Sequence, residues 1–520
     1  MKQTALLFFL CLLLLSNSFA APGLRIMESM VMPSRILKQD VHFSVCLPTN
    51  YYDVKQAFPV VYLLHGLGDN ETSWLEYGQI SQYADKAVED EETKPMIFVM
   101  PEAFRTYYVN DYKGTFLYQD MFVKELVPYI DSLFRTIADR QHRAVMGYSM
   151  GGFGALNLHL KHSEMFGTAV SLSTSVRTEE QYMTEDASGW DEQWGRLFGE
   201  LGFKGKDRIT EYYKQNSPFY IFSQMSPDEL KKINIYIDNG DKEQTLCRSN
   251  EELHILMRNL KIPHEFRVRD GGHSFQYWCS ALPNALRFIN DAFEGKAYQG
   301  DTPAKISDSQ LPEKQIRKLT ILNEPAFAYV PAGYDESDRL YPVIYFAGDF
   351  SASQQKAIAA VVNSKMNKNK VCPMLLVFLP EIALNHMADA LPELEGKLRI
   401  RKGYRFRAIT GFQAKAADAC RIAISQEQFT ACVLSDAFLP DSLISGLISE
   451  MKPKALERTS FYIDAPDKGN FYKGNGNAHM LLRDKDLPHE YRVREGNGGF
   501  DFFIAGLPEI IVFTAKRFHK

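Results

Sequence analysis

What is scarce in this chain narrows its function first. Seven cysteines are spread over 520 residues. Beyond Cys11, the remaining Cys46, Cys247, Cys279, Cys372, Cys420 and Cys432 form no C-x-x-C pair and no Cys/His cluster, so no metal site is expected. Positive charge is not in surplus: 59 Lys and Arg stand against 64 Asp and Glu, a net charge of −5. That balance argues against nucleic acid or an anionic membrane as partner. After Leu15 no segment approaches the roughly 18 apolar residues that a membrane helix needs. All four tryptophans, Trp74, Trp190, Trp194 and Trp278, lie in the first half. A stacking sugar platform in the second half is therefore not expected.

What is present is globular in composition, with 45% apolar and 24% charged residues. At this length two domains are expected, since one hydrophobic core rarely serves so long a chain. Residues 1–20 read as a signal peptide. Lys2 supplies the positive start, residues 5–15 an unbroken apolar run, and Ser18-Phe19-Ala20 a small-x-small cleavage site. Leu10 before Cys11 argues against a lipoprotein anchor. The expectation is export to the periplasm or medium, with cleavage near Ala20 and no membrane span.

The chain is organised around Gly147-Tyr148-Ser149-Met150-Gly151-Gly152. An apolar strand, Arg143-Ala144-Val145-Met146, runs into it, and residues 153–160 continue with apolar positions at helical spacing. A serine between glycines at a strand-to-helix turn is a nucleophile elbow. The strain of the turn lifts the hydroxyl above the sheet, and the helix N-terminus behind it favours developing negative charge.

The rest of the first half supplies what such a serine needs. Phe58-Pro59-Val60-Val61-Tyr62-Leu63-Leu64 reads as a central strand buried on both faces, ending in His65-Gly66-Leu67-Gly68. The loop after such a strand and the residue after the nucleophile supply the two oxyanion N–H groups, expected here from Leu67 and Met150. Residues 41–47, 95–100, 144–146, 169–172, 233–237 and 266–269 read as further strands, and 118–130 as an amphipathic helix. Strands alternating with helices imply an α/β fold, a mainly parallel sheet sandwiched by helices. The histidine is expected at His273, after the last strand. Asp238, Asp241 and Glu243 compete for the acid in the loop after residues 233–237.

Residues 118–171, with Tyr129-Ile130-Asp131, Arg135-Thr136-Ile137-Ala138-Asp139-Arg140 and the elbow itself, resemble the esterase D group of α/β-hydrolases. That group takes in S-formylglutathione hydrolases, feruloyl and acetyl-xylan esterases of carbohydrate esterase family 1, and mycolyltransferases. The resemblance covers roughly residues 41–293. It implies an acid three positions after Gly240, at Glu243, where the family more often has aspartate; Asp241 stays the alternative. It also implies that residues 175–225, with Trp190, Trp194, Phe198, Tyr212 and Tyr213, form the cap insertion, most of these aromatics packing it onto the body. Phe275, Tyr277 and Trp278 follow His273, and Tyr148 and Trp278 are expected to contact substrate.

Residues 298–312 read as a linker between a catalytic domain, 21–297, and a second domain, 313–520. The second domain repeats the first without its chemistry. Pro488-His489-Glu490-Tyr491-Arg492-Val493-Arg494 nearly copies residues 263–269, and Tyr341-Pro342-Val343-Ile344-Tyr345-Phe346 copies residues 58–63. Gln413 replaces Ser149, Lys415 replaces Gly151, Asp349 replaces Leu67, Gly498 replaces His273 and Gly469 replaces Glu243. Asp467, matching Asp241, is kept, which favours Glu243 as the acid. The cap insertion is nearly gone.

These readings together predict an exported serine carboxylesterase acting through an acyl-enzyme, with no metal or organic cofactor. Its substrate class would be acetyl or feruloyl esters of plant carbohydrate, or another small ester. A mycolyltransferase-type acyltransferase and a non-catalytic glycan- or partner-binding pseudo-hydrolase are the rivals. Cys247 and Cys279 follow the acid and the histidine at similar distances and are expected to form a disulfide. A chain ending near Gly300 is expected to keep hydrolysing p-nitrophenyl acetate.

Overall fold

The computed structural model describes residues 24–301, 315–450 and 458–518. The expected signal peptide, and residues 302–312 of the expected linker, lie outside the described residues. The chain forms two compact units. The first holds residues up to 238 with 256–264 and 273–300, and the second holds 239–255, 265–272 and 301 onward.

In the first unit the apolar runs become strands. They are β1 (Ile26–Ser34), β2 (Gln39–Cys46), β3 (Val60–Leu64), β4 (Ile97–Pro101), β5 (Arg143–Tyr148), β6 (Thr168–Leu172) and β7 (Ile235–Gly240), ordered β1-β2-β4-β3-β5-β6-β7. Pairing is parallel from β4 through β7 and antiparallel at β1–β2 and β2–β4. Strands β3, β5 and β6 are buried along their whole length, as strands must be when both sheet faces are covered. The expected mainly parallel sheet flanked by helices is what is observed.

Three helices position the site: α1 (Met150–Lys161), α2 (Thr245–Asn259) and α3 (Phe275–Phe293). α3 lays Ala281, Leu282, Ala285, Leu286 and Ile289 against Val61, Leu63, Ala144 and Met146 of the sheet. Each large side chain so buried contributes about 1.5–3 kcal/mol. The insertion before β7 packs by its own aromatics. Trp194 lies parallel to Phe198 at 6.1 Å and meets Tyr182 edge-on at 5.1 Å, all three buried.

The second unit contains β8 (Glu265–Arg269), β9 (Ile316–Ile321), β10 (Glu324–Tyr329), β11 (Val343–Ala347), β12 (Leu375–Phe378), β13 (Arg407–Phe412), β14 (Ala431–Ser435), β15 (Ser460–Pro466) and β16 (His489–Arg494). Their order is β9-β10-β12-β11-β13-β14-β15-β16-β8. From β9 to β15 this reproduces the first unit strand for strand. β16 then pairs antiparallel with β8, with Val493 opposite Val268. Since residues 488–494 copy residues 263–269, each valine faces its own counterpart.

The expected disulfide is absent, because each thiol has a separate partner. Both cysteines are free. Cys247 Sγ lies 2.9 Å from His479 Nε2 within the second unit. Cys279 Sγ contacts the Gly78 carbonyl at 3.5 Å within the first.

Candidate active site

Ser149 sits where β5 meets α1, with φ 57° and ψ −118°, a left-handed conformation costly for a residue with a Cβ. Its surroundings compel that turn. A Cβ on Gly147 would lie 2.4 Å from the Gly151 carbonyl, and one on Gly151 would lie 2.2 Å from the Leu64 oxygen. Only glycine lets β3, β5 and the start of α1 come so close. The backbone is pinned on both sides, Ser149 N–H donating to Leu172 O at 2.9 Å and Ser175 N–H to Ser149 O at 3.0 Å.

His273 Nε2 lies 2.9 Å from Ser149 Oγ. Two residues 124 positions apart in sequence thus meet in the geometry of a nucleophile and its base. Trp278 meets the imidazole nearly at right angles, with ring centroids 5.1 Å apart. Trp278 is held in turn by its indole N–H, which donates to Ser173 Oγ at 2.8 Å.

The strand β3 loop is also fixed. His65 Nε2 accepts from Ala103 N–H at 2.9 Å, and Nδ1 lies 2.8 Å from Gly66 O. This assigns the proton to Nδ1 and makes His65 a buried pin. A Cβ on Gly66 would strike the Tyr148 ring at 2.5 Å. Leu67 comes next in the turn, and Met150 is the first residue of α1, where N–H groups have no acceptor within the helix.

The candidate acids differ sharply. Asp238 is buried and accepts from the hydroxyls of Tyr236, at 2.9 Å, and Tyr277. Asp241 is fully buried and spent on structure. Oδ1 accepts from Gly271 N–H at 3.1 Å, and Oδ2 accepts from Arg492 Nη1 at 2.6 Å and Tyr491 N–H at 3.3 Å. Glu243, two residues on in the same loop, is also buried. Among the described residues no three His, Cys, Asp or Glu side chains gather as metal ligands, and no helix is long and apolar enough to cross a membrane.

Residues 34–289, which contain Ser149, Glu243 and His273, match the family model described as a putative esterase. This region of the chain belongs to that esterase family. The expectation of a serine carboxylic ester hydrolase is met at that level. An endo-1,4-beta-xylanase/feruloyl esterase of Xylanibacter ruminicola is 38% identical over 135 residues, 24% of this chain and 18% of that protein. An esterase of Mycobacterium tuberculosis is 28% identical over 252 residues, 45% of this chain and 52% of that protein. The chain thus spans about half or less of the length of these curated relatives. A solved ferulic acid esterase is 30% identical, covering 52% of this chain and 98% of its own, with a TM-score of 0.44.

Tyr148 and Trp278, the expected substrate contacts, are packed inward. Both are buried and stack on each other at 4.1 Å. Tyr148 donates to Asp69 Oδ2 at 2.6 Å, and burial with that carboxylate beside it pushes its phenol far up. Trp278 thus lies between the Tyr148 ring and the imidazole of His273 in a chain of ring contacts. No sequence pattern marks Ser173 or Asp69 as their anchors.

The matching place in the second unit is filled. Gln413 keeps the elbow's positive φ, 50°, but its amide donates to Asp436 Oδ2 at 3.0 Å. The same oxygen accepts from Gly499 N–H at 2.8 Å. A Cβ on Gly498, whose φ is 89°, would lie 2.5 Å from Asp436 Oδ2, so a side chain at the position matching His273 would strain the backbone and displace that carboxylate.

Proposed function

We propose that the protein is an exported serine carboxylesterase that hydrolyses acyl esters through an acyl-enzyme. The observation that carries this reading is the 2.9 Å approach of His273 Nε2 to Ser149 Oγ at a strained elbow. Ser149 Oγ attacks the ester carbonyl while His273 Nε2 takes its proton. The oxyanion accepts hydrogen bonds from the N–H groups of Leu67 and Met150. Glu243 orients the imidazole through Nδ1, since Asp241 is committed to Arg492 and Gly271. His273 then returns the proton to the leaving alcohol, and water repeats the sequence to free Ser149.

The substrate class is acetyl or feruloyl esters on plant carbohydrate. Its support is the family membership and the feruloyl esterase activity in the name of one relative. Periplasmic or extracellular location rests on the residue pattern of positions 1–20. The test is a panel of p-nitrophenyl acetate, methyl ferulate and acetylated xylan, with the wild type and Ser149→Ala. Wild-type turnover that Ser149→Ala lowers by several orders of magnitude is expected. Near-normal hydrolysis by the folded variant refutes the mechanism, and acyl transfer to an added sugar in preference to water would make the protein a transferase.

A further inference from the structure

Resting on the esterase reading, we propose that Asp241 and Arg492 are a positioning pair. Through it the second, chemically silent copy holds the loops that carry the acid and the histidine. The loops after β7 and β8 are knitted backbone to backbone. Asp241 N–H donates to Arg269 O at 2.9 Å, and Lys242 N–H to Gly271 O at 2.8 Å. A Cβ on Gly240 would lie 2.3 Å from Gly271 O, so the strands' ends are in direct contact. Asp241 joins the two loops with its side chain. It stands two positions before Glu243 and binds the amide of Gly271, two positions before His273.

The groups that hold Asp241 Oδ2 and its main-chain carbonyl come from the second copy. Arg492 Nη1 donates to Oδ2 at 2.6 Å, Tyr491 N–H to the same oxygen at 3.3 Å, and Arg483 to the main-chain carbonyl. Arg492 is itself seated by Glu490 at 2.7 Å. A carboxylate with no solvent exposure needs such a cation, and one fixed in a strand fixes the carboxylate.

The molecule carries its own control. Asp467, the counterpart of Asp241, accepts from Gly496 N–H at 2.9 Å and from Arg267 Nη1 at 2.6 Å. The two clamps are chemically alike. Their loops differ downstream: the Asp241 loop leads to Glu243, whereas the Asp467 loop leads to Gly469. If Asp241 served as the orienting acid, its twin would have no reason to keep the same contacts in a copy without a histidine.

The experiment compares Asp241→Asn with Asp467→Asn on p-nitrophenyl acetate, with Ser149→Ala alongside. Both Asn variants should lower the melting temperature by similar amounts. Only Asp241→Asn should lose kcat, by about 10- to 100-fold with KM little changed, the effect of a mispositioned catalytic group. Arg492→Met should resemble Asp241→Asn, and Arg492→Lys should recover part of the loss. The Asp241→Asn, Arg492→Met double variant leaves no charge buried alone and should fold with the same kcat defect. Equal kcat for Asp241→Asn and Asp467→Asn overturns the positioning role while leaving the esterase reading intact. Retained hydrolysis by Ser149→Ala instead removes the esterase reading itself.

Discussion

Adding one methyl group at Gly151 tests the elbow without touching a chemical group. The new Cβ would lie 2.2 Å from the Leu64 oxygen, 2.5 Å from the Leu64 carbonyl carbon and 2.8 Å from the His65 oxygen. Real Cβ contacts stay above 3.0 Å, so β3 and the start of α1 must part by roughly 0.8 Å. All three obstacles are backbone atoms, and none can rotate away. Leu64 O also accepts from the Trp74 indole N–H at 3.1 Å, a bond that the shift stretches. Overpacking of this kind costs about 1–3 kcal/mol, which lowers Tm by roughly 2–10 °C. The catalytic effect should be larger in proportion. Displacing Met150 N–H and Ser149 Oγ by nearly 1 Å relative to the β3 loop costs on the order of 100-fold in kcat. Thermal melting and p-nitrophenyl acetate hydrolysis measure the two effects on one sample. Gly396→Ala, on an exposed helix turn with nothing within 4 Å, should instead stabilise by about 0.5–1 kcal/mol and leave kcat alone. A Gly151→Ala enzyme with wild-type Tm and kcat would refute the reasoning.

Two further perturbations address groups with different duties. Glu243→Gln should cost on the order of 10³- to 10⁴-fold in kcat, since only the orienting carboxylate stabilises the imidazolium; a loss smaller than that of Asp241→Asn would transfer the role to Asp241. Glu251, fully enclosed on α2, is pushed by burial from 4.5 to about 8, while Tyr491 OH at 3.2 Å bonds to it. The fold therefore keeps a proton that the unfolded chain releases, and stability falls as pH rises through this range. Between pH 6.5 and 8 the loss is about 2 kcal/mol, read by denaturant titration. Burial holds His479 and His489 below their ordinary range, which acts in the opposite sense only at lower pH. Glu251→Gln should flatten the slope above pH 6.5, and an unchanged slope counts against the buried-carboxyl account.

The legible parts of this protein are those written in local pattern. Unbroken apolar runs give away β3, β4 and β6 because a strand covered on both faces has no polar side to show. The elbow is legible because its glycines answer a steric demand within a few residues. β1 is not: it carries a register shift between Met27 and Met30, with Ser29 at φ 49°, so its alternation is broken. The histidine can be placed by chain order, but the choice of acid cannot. Asp241 and Glu243 differ only in partners that are distant in sequence, and Arg492 lies 251 residues away. The retained Asp467 is the one local hint of that clamp. Similar spacing after the acid and the histidine suggests a Cys247–Cys279 bond, yet spacing says nothing of direction, and the thiols face different partners. Tyr148 and Trp278 sit beside the reacting groups in sequence, but proximity to an active residue is compatible with lying beneath it.

The pairing of Val268 with Val493 makes β8 complementary to itself. Its Arg267 finds an aspartate, Asp467, in the copy, and the copy's Arg492 finds Asp241. A chain ending near Gly300 would lose β16 and expose an edge strand that carries both halves of this match, the cation on β8 and the anion in the loop beside it. Two such chains would replace the missing copy with each other, β8 against β8, Arg267 of each meeting Asp241 of the other. Dilution should then separate the shortened chains. Where the sequence alone leads one to expect that this shortened chain keeps hydrolysing p-nitrophenyl acetate, the Asp241–Arg492 pair instead predicts a specific activity that rises with protein concentration along the same curve as the apparent mass; a shortened chain monomeric and equally active at every concentration would show that β8 has no such affinity. Covalent duplication, on this view, turns a bimolecular encounter into a permanent one and leaves the second copy free to lose its nucleophile while keeping its arginine.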